Sequence, residues 1–440
     1  MTEPTPTEPA PAGPASGPRP EPDRATRWLV LLPLSLAMFG TYYVFDALNP
    51  VGPLLESQLG FSQVQIGLLD SSYNLAALLV LLAGGVIVDR AGVRRALVLF
   101  GLLTALGGLA IALAPRWWGF GGMAAGRFLL GIGSEPLIVA ATTALGRWFR
   151  GKELSFAMAL NLSVARLGSV AANNSAGWAP GLFAGWRGPL LLAAGVGTSA
   201  VAAGLLYAAL ERRAERRFSL GRAAGADKLV LADLVRFGRG YWWIVGLCVT
   251  FYAAIFPFQR FANLFFEQAH GVAPREAGFL NGLLPATALV ASPLFGLLAD
   301  RVGRRATLMA LGSLALAPAF LLMAYTRVPL LLPMAMLGAA FSLVPAVLWP
   351  SVTYLVDERR LGTAYALMTF LQQLGWSAMS AGVGLANDRF GASAANPAGY
   401  RPGMWLFAGL GLLGLLFSLQ LSRSERGPAA RGLETIRTGG

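Results

Sequence analysis

Gly85-Val-Ile-Val-Asp89-Arg90-Ala-Gly92-Val-Arg94-Arg95 returns 211 residues later as Gly296-Leu-Leu-Ala-Asp300-Arg301-Val-Gly303-Arg304-Arg305. Both copies keep the spacing G-x-x-x-D-R-x-G-x-R, and both are flanked by apolar runs long enough to cross a bilayer. A string that recurs at equivalent places in two halves of a chain marks internal duplication. Outward from the two copies, apolar segments fall at 28–49, 64–88, 95–114, 119–147, 154–178 and 187–210, then at 241–268, 275–299, 306–326, 329–356, 361–386 and 403–421. Backbone groups in lipid must be satisfied within their own segment, so these segments predict twelve transmembrane helices in two sets of six. The repeated loop joins helices 2 and 3 in the first set and helices 8 and 9 in the second.

Composition agrees with this all-α membrane class. Of 440 residues, 55 % are hydrophobic and 13 % charged, against roughly 25 % charged in soluble domains. One cysteine (Cys248) and one histidine (His270) exclude a disulfide scaffold, a Cys-based zinc site and a His cluster. They also leave no nucleophile–base set, so no enzyme, cofactor or metal site is expected. Residues 1–27 predict a disordered tail, because the Pro-, Glu- and Thr-rich stretch has little apolar surface to bury. The apolar run that starts near Trp28 is too long for a cleavable signal peptide. Residues 28–210 then form an N-terminal bundle, 211–240 a cytoplasmic linker with the run Glu211-Arg-Arg-Ala-Glu-Arg-Arg217, 241–421 a C-terminal bundle and 422–440 a tail.

Placing the basic residues orients the chain. The side that holds both termini carries 26 of the 35 Lys and Arg, the opposite side carries six, and three lie inside the spans. By the positive-inside rule both termini are cytoplasmic. The net charge of +13 is thus a topology signal and gives no ground for a nucleic-acid partner.

Ionisable groups at membrane depth are expensive and point to function. Glu135 and Arg166 each lie about 12 residues from the cytosolic ends of helices 4 and 5, or roughly 18 Å into the membrane at 1.5 Å per residue. The two helices form a hairpin, so opposite charges share one depth and can meet or jointly bind a zwitterion. A salt bridge that only locks the two helices is the plainer alternative, although desolvation makes such pairs poor stabilisers. Asp46 at the end of helix 1 reads equally as a solvated carboxylate or a ligand, and Asp70 in helix 2 as a peripheral or gating group. Arg127 either snorkels to the interface or gates. Arg260 and Asn263 follow a predicted kink at Pro257. Trp349, between Pro345 and Pro350, packs a kinked core or stacks on a ligand. Gln372 and Gln373 are ligands or helix–helix hydrogen bonds. His270 reads as solvated. In the repeated loops, Asp89, Arg90, Arg94, Asp300, Arg301 and Arg304 suit a hinge: the aspartates can accept from a nearby helix N-terminus, and the glycines admit a neighbouring helix.

The loop pair resembles the signature of the major facilitator superfamily, and Arg127-Phe-Leu-Leu-Gly131-Ile-Gly133 adds its R-x-x-x-G-x-G element. That resemblance implies two six-helix bundles with substrate at midplane between them. More specific strings are Gly126-Arg-Phe-Leu-Leu-Gly-Ile-Gly-Ser-Glu135, Trp148-Phe-Arg-Gly-Lys-Glu-Leu154, Leu162-Ser-Val-Ala-Arg-Leu-Gly-Ser169, Phe39-Gly-Thr-Tyr-Tyr-Val-Phe-Asp46 and Tyr252-Ala-Ala-Ile-Phe-Pro-Phe258. Ser292-Pro-Leu-Phe-Gly-Leu-Leu-Ala-Asp300, Leu348-Trp-Pro-Ser351 and Leu361-Gly-Thr-Ala-Tyr365 belong with them. Together they are similar to the lysosomal dipeptide transporter subfamily. The resemblance implies a dipeptide uniporter in which Glu135 holds the α-ammonium and Arg166 the carboxylate. The family's helix 7 lysine position is occupied by Asn263, three residues from Arg260.

The expectation is therefore a monomeric secondary transporter for small zwitterions, chiefly dipeptides, working by alternating access. Tyr42, Tyr43 and Trp349 would shape the side-chain pocket, with Arg127 among the gating groups. With 33 arginines and two lysines the chain suggests a high-GC bacterium and its plasma membrane. Proton coupling through Glu135 is the second hypothesis, and a non-transporting receptor or scaffold the third. The sequence leaves the need for an accessory subunit undecided.

Overall fold

Leu29, Leu32 and Leu36 lie on one exposed face of the first helix, while Val30, Leu31 and Leu34 are buried on the other. A helix that is apolar all round has lipid, not water, on its outer side. The last helix repeats the pattern with Leu412, Leu416 and Leu419 outward and Phe407, Ala408 and Leu421 buried.

The computed structural model describes residues 21–149, 153–218, 237–357, 360–427 and 430–435, without the side chains of 81–91 and 155. The helices are α1 (Arg24–Asp46), α2 (Gly52–Leu59), α3 (Gln63–Ala91), α4 (Val93–Leu113), α5 (Pro115–Phe149), α6 (Leu154–Asn173), α7 (Ser175–Trp178) and α8 (Arg187–Arg217), then α9 (Arg239–His270), α10 (Pro274–Val302), α11 (Arg305–Tyr325), α12 (Leu331–Leu355), α13 (Leu361–Arg389) and α14 (Arg401–Ser424). Among the described residues, nine are long and apolar enough to cross a membrane. The other three long helices, α3, α6 and α13, have 29, 20 and 29 residues.

Packing sorts the helices into two sets. In the first, α1 packs on α6 and α8, α4 on α5 and α8, and α3 on α5. In the second, α9 packs on α13 and α14, α11 on α12 and α14, and α10 on α12. Contact between the sets runs through α3 with α13 and α6 with α10. The chain direction follows from cross-links: Gln268, near the end of α9, donates to Glu56, just beyond the end of α1. The start of α1 and the end of α14 therefore lie at one end of the molecule, and the loop around Glu56 at the other, called here the far end.

Several boundaries differ from the sequence expectation. The first helix starts at Arg24, capped by Asp23, whose carboxylate accepts from Thr26 N at 3.3 Å. Glu211–Arg217 is not linker but the last two turns of α8, because Glu211 is buried and pairs with Arg147 at 2.7 Å. Helix α2 is additional to the expected spans; Pro53 opens it and Gly60, at φ 66°, closes it in the left-handed conformation. The tail after α14 docks: Glu434 caps α11 through Thr307 N at 3.1 Å, and Leu433 is fully buried. The disordered-tail expectation falls mostly on residues 1–20, outside the described residues, as does most of the linker, 219–236.

The two sets are sewn together at the far end. Asp388 of α13 accepts from the Gln63 and Val64 amides of α3, both at 2.8 Å. Gln63 also donates to the Tyr400 hydroxyl at 3.1 Å, and its Oε1 accepts from Asn387 at 2.9 Å. Further along, Ser71 donates to the Ser377 carbonyl at 2.9 Å. Described ion pairs near the termini stay within one set, as in Arg24–Glu153 (3.1 Å), Arg94–Glu215 (3.2 Å) and Asp300–Arg305 (2.7 Å).

Candidate functional site: a charged and aromatic midplane cluster

Helix α5 brings the charges in because two small residues let it approach its neighbours. A Cβ at Gly131 would lie 2.6 Å from the Tyr73 carbonyl of α3, and one at Gly133 would run into the Thr104 amide of α4. Only glycine permits that contact on both sides, and it fixes Arg127 one turn before Gly131 and Glu135 one turn after.

Glu135 is half-buried and accepts from the Tyr73 hydroxyl at 2.8 Å. Arg166, on the neighbouring α6, is also half-buried. Its guanidinium lies 5.8 Å from the Tyr42 ring centre and 5.3 Å from that of Phe341 on α12. The two do not form an ion pair, yet Tyr42 lies within electrostatic range of both, and of Asp46. Two opposite charges thus lie within range of one tyrosine without forming an ion pair with each other. Asp46 has an Asn49 amide 3.4 Å away, and Asn49 in turn donates to Asn173 at 3.1 Å.

On the other side of Arg166 is a cavity of about 310 Å³ lined by Tyr252, Leu289, Phe341, Pro345 and Trp349. Trp349 Nε1 donates to the Tyr252 hydroxyl at 2.8 Å, and the Trp349 carbonyl accepts from Tyr365 at 3.0 Å. Tyr252 stacks on Phe256, with centroids 5.4 Å apart, and Phe256 on Trp376 at 4.3 Å. The site wall is therefore a run of ring faces interrupted by one cation, a pattern suited to a small ligand with a polar backbone.

Other predicted site residues are placed elsewhere. Tyr43 turns away from Tyr42 and is buried with Ala47, Ala172 and Ala193. Asn263 is fully buried and accepts from Asn281 at 2.7 Å, inside the second set. Gln372 is a near neighbour of Cys248, whose thiol donates to it at 3.4 Å. These three face protein in this conformation because each has a partner on an adjacent helix of its own set. Arg260 is 2 % exposed and bonds Asp70 from both Nη2 (2.6 Å) and Nε (2.8 Å). Arg127, fully buried, meets the same Asp70 oxygen at 3.0 Å. Arg127 also donates to the Leu69 and Phe45 carbonyls, so it does not snorkel.

Of the hinge residues, the side chains of Asp89 and Arg90 lie outside the described ones. Arg94 pairs with Glu215, and Arg301 and Arg304 are exposed. Asp300 accepts from the side chain of Arg305, the first residue of α11, rather than from the backbone amides of that helix end. The expected close approach at Gly296 is absent, with nothing within 4 Å of a Cβ there. What the loops do require is positive φ: 79° at Gly92 and 70° at Gly303.

Sequence reasoning did not select Tyr73, Tyr252, Phe256 and Trp376 for the site. Tyr73 carried a usable signal, since it stands one turn after Asp70 on the same helix face. The aromatic wall carried none, because rings at helical spacing look like core.

The model of the Major Facilitator Superfamily matches residues 34–380, and again 260–437. The lysosomal dipeptide transporter MFSD1 of Danio rerio is 34 % identical over 379 residues, covering 82 % of this chain and 81 % of that protein. The Homo sapiens protein of the same name is 30 % identical over 394 residues, covering 87 % and 85 %. Among solved structures, a bacterial homologue of the human lysosomal transporter Spinster superposes with TM-score 0.75 at 17 % identity, covering 92 % of this chain and 98 % of that one. The nucleoside transporter NupG does so with TM-score 0.71 at 15 % identity, covering 90 % and 99 %. This chain belongs to the Major Facilitator Superfamily.

Proposed function

We propose that the protein moves dipeptides across the membrane by alternating access, as a uniporter. The observation that carries this reading is the pair Glu135 and Arg166: opposite charges at one depth, both half-buried, with Tyr42 within range of each and no bond between them. An unpaired buried charge is costly. A zwitterion relieves both at once, its ammonium against Glu135 and its carboxylate against Arg166. The aromatic faces of Tyr42, Tyr252 and Trp349 tolerate many side chains because they offer dispersion and few fixed hydrogen bonds. The relatives named for dipeptide transport, matched over four-fifths of the chain, support the substrate class. The basic residues support cytoplasmic termini, and the arginine-rich composition a bacterial plasma membrane.

Purified protein is expected to gain thermal stability with Ala-Ala and other neutral dipeptides but not with free sugars. Glu135→Gln and Arg166→Ala should each abolish that gain while leaving the ligand-free melting temperature near the parent's. In liposomes, labelled dipeptide should equilibrate by counterflow without accumulating under an imposed pH gradient. Accumulation driven by the gradient would replace uniport with proton coupling. Variants that respond to dipeptide like the parent would overturn the site.

A further inference from the structure

Asp70 stands on α3 and Arg260 on α9, so the ion pair they form joins the two helix sets. Asp70 Oδ1 is shared: Arg260 approaches it at 2.6 and 2.8 Å, and Arg127, from Asp70's own set, at 3.0 Å. All three side chains are at most 2 % exposed. The arrangement is a poor structural clamp. Two guanidiniums crowd one Asp70 oxygen, with the Asp46 carboxylate in electrostatic range of both, while Asp70 Oδ2 and Arg260 Nη1 are buried with no hydrogen-bond partner among the described residues. A half-satisfied buried network costs more than an apolar contact would. Phe45 stands beside both cations, its ring centre 4.8 Å from the Arg127 guanidinium and 5.8 Å from that of Arg260.

We propose that Asp70, Arg127 and Arg260 form a three-residue switch that closes the far end. Arg260 is the latch, and Arg127 is the spare partner that lets Asp70 release it. When the sets part, Arg260 leaves with α9 and is hydrated, while Asp70 keeps Arg127 and is never left as a bare carboxylate in the protein interior. Arg127 and Arg260 repel each other across the oxygen they share, and that repulsion opposes the latch. The two arginines touch the same atom yet act in opposite senses. This inference rests on the alternating-access part of the reading above, and its test needs no dipeptide.

The reporter is a single cysteine at Ser380, fully buried on the face of α13 that meets α3 at Gly67, in a Cys248→Ala background. A water-soluble maleimide reaches this position only when the far end opens, so its modification rate follows the open population. Arg260→Met should raise the rate about tenfold, the scale on which a lost close ion pair acts. Arg127→Met should lower it several-fold, because Asp70 then has no partner but Arg260. Each variant keeps one ion pair on Asp70, and Arg260→Lys, which keeps the cation but loses the two-point contact, should fall between the parent and Arg260→Met. Monodisperse elution with a parent-like melting curve checks folding. An unchanged rate in Arg260→Met, or a shift in the same direction for both methionine variants, would overturn the switch. Neither result would bear on whether dipeptides bind Glu135 and Arg166.

Discussion

The Tyr73 hydroxyl is the one hydrogen-bond donor that meets Glu135 among the described side chains, at 2.8 Å. The same ring lies 5.1 Å from the Arg127 guanidinium and 4.7 Å from the Phe45 ring centre. One side chain therefore touches both the ammonium end of the proposed dipeptide site and the far-end switch. Tyr73→Phe keeps the ring and removes the donor. A lost hydrogen bond to a charged group is worth about 1.5–3 kcal/mol at most, so dipeptide affinity by thermal titration should fall about tenfold, with folding retained. Unchanged affinity would show that Tyr73 does not position Glu135. Legibility at this scale followed chemistry. A carboxylate or guanidinium inside an apolar span announces itself, which is why Glu135, Arg166, Asp70, Arg127 and Arg260 all stand out. Their pairings do not, since Arg260 and Asp70 are 190 residues apart in the chain.

Helices α3 and α13 meet along a stripe of small residues. A Cβ at Gly67 would run into the Ser380 carbonyl, and one at Gly384 into the Gln63 backbone. With backbone on the far side of the contact, nothing can rotate out of the way. Gly67→Leu should therefore wedge the far end open: the Ser380→Cys reporter should label faster than the parent, and transport should stop with the protein folded. Labelling no faster than the parent's would mean that α3 and α13 do not part at this seam. Most helices were readable from their apolar length. The exceptions have local causes. Glu211–Arg217 reads as a polar break, but its acids bind Arg94 and Arg147 and the helix runs on. Helix α2 is too short to stand out from loop.

Across the whole molecule, the far-end seam contains a carboxyl whose proton affinity is expected to depend on closure. Glu56, on a helix outside the membrane-spanning set, accepts from Gln63 of α3 and Gln268 of α9. Burial pushes its proton affinity above the ordinary carboxylate range and nearby Asp388 adds to the rise, although the two amide donors oppose it. Opening returns Glu56 to water, so the closed form holds the proton more tightly. Closure should therefore strengthen as pH falls through the raised value, and gain nothing more below the ordinary carboxylate range, where both forms are protonated. The Ser380→Cys labelling rate, corrected for reagent chemistry with an exposed cysteine, should drop on acidification. Glu56→Gln should remove most of that dependence; an unaltered pH profile in this variant would assign it to another group.

The sequence by itself determined the membrane class, the superfamily through its duplicated loop and R-x-x-x-G-x-G element, and which charges lie inside apolar spans. These follow from rules that act locally: backbone satisfaction in lipid, the cost of a buried ion, the conformations open to glycine. Only the tertiary structure decided which charges are partners. It left Glu135 and Arg166 without an ion pair, both within range of Tyr42, drew Arg260 onto Asp70, and turned Tyr43, Asn263 and Gln372 into protein. Partner choice depends on how two helix sets are docked. No local pattern encodes that docking, because it joins side chains on helices far apart in the chain.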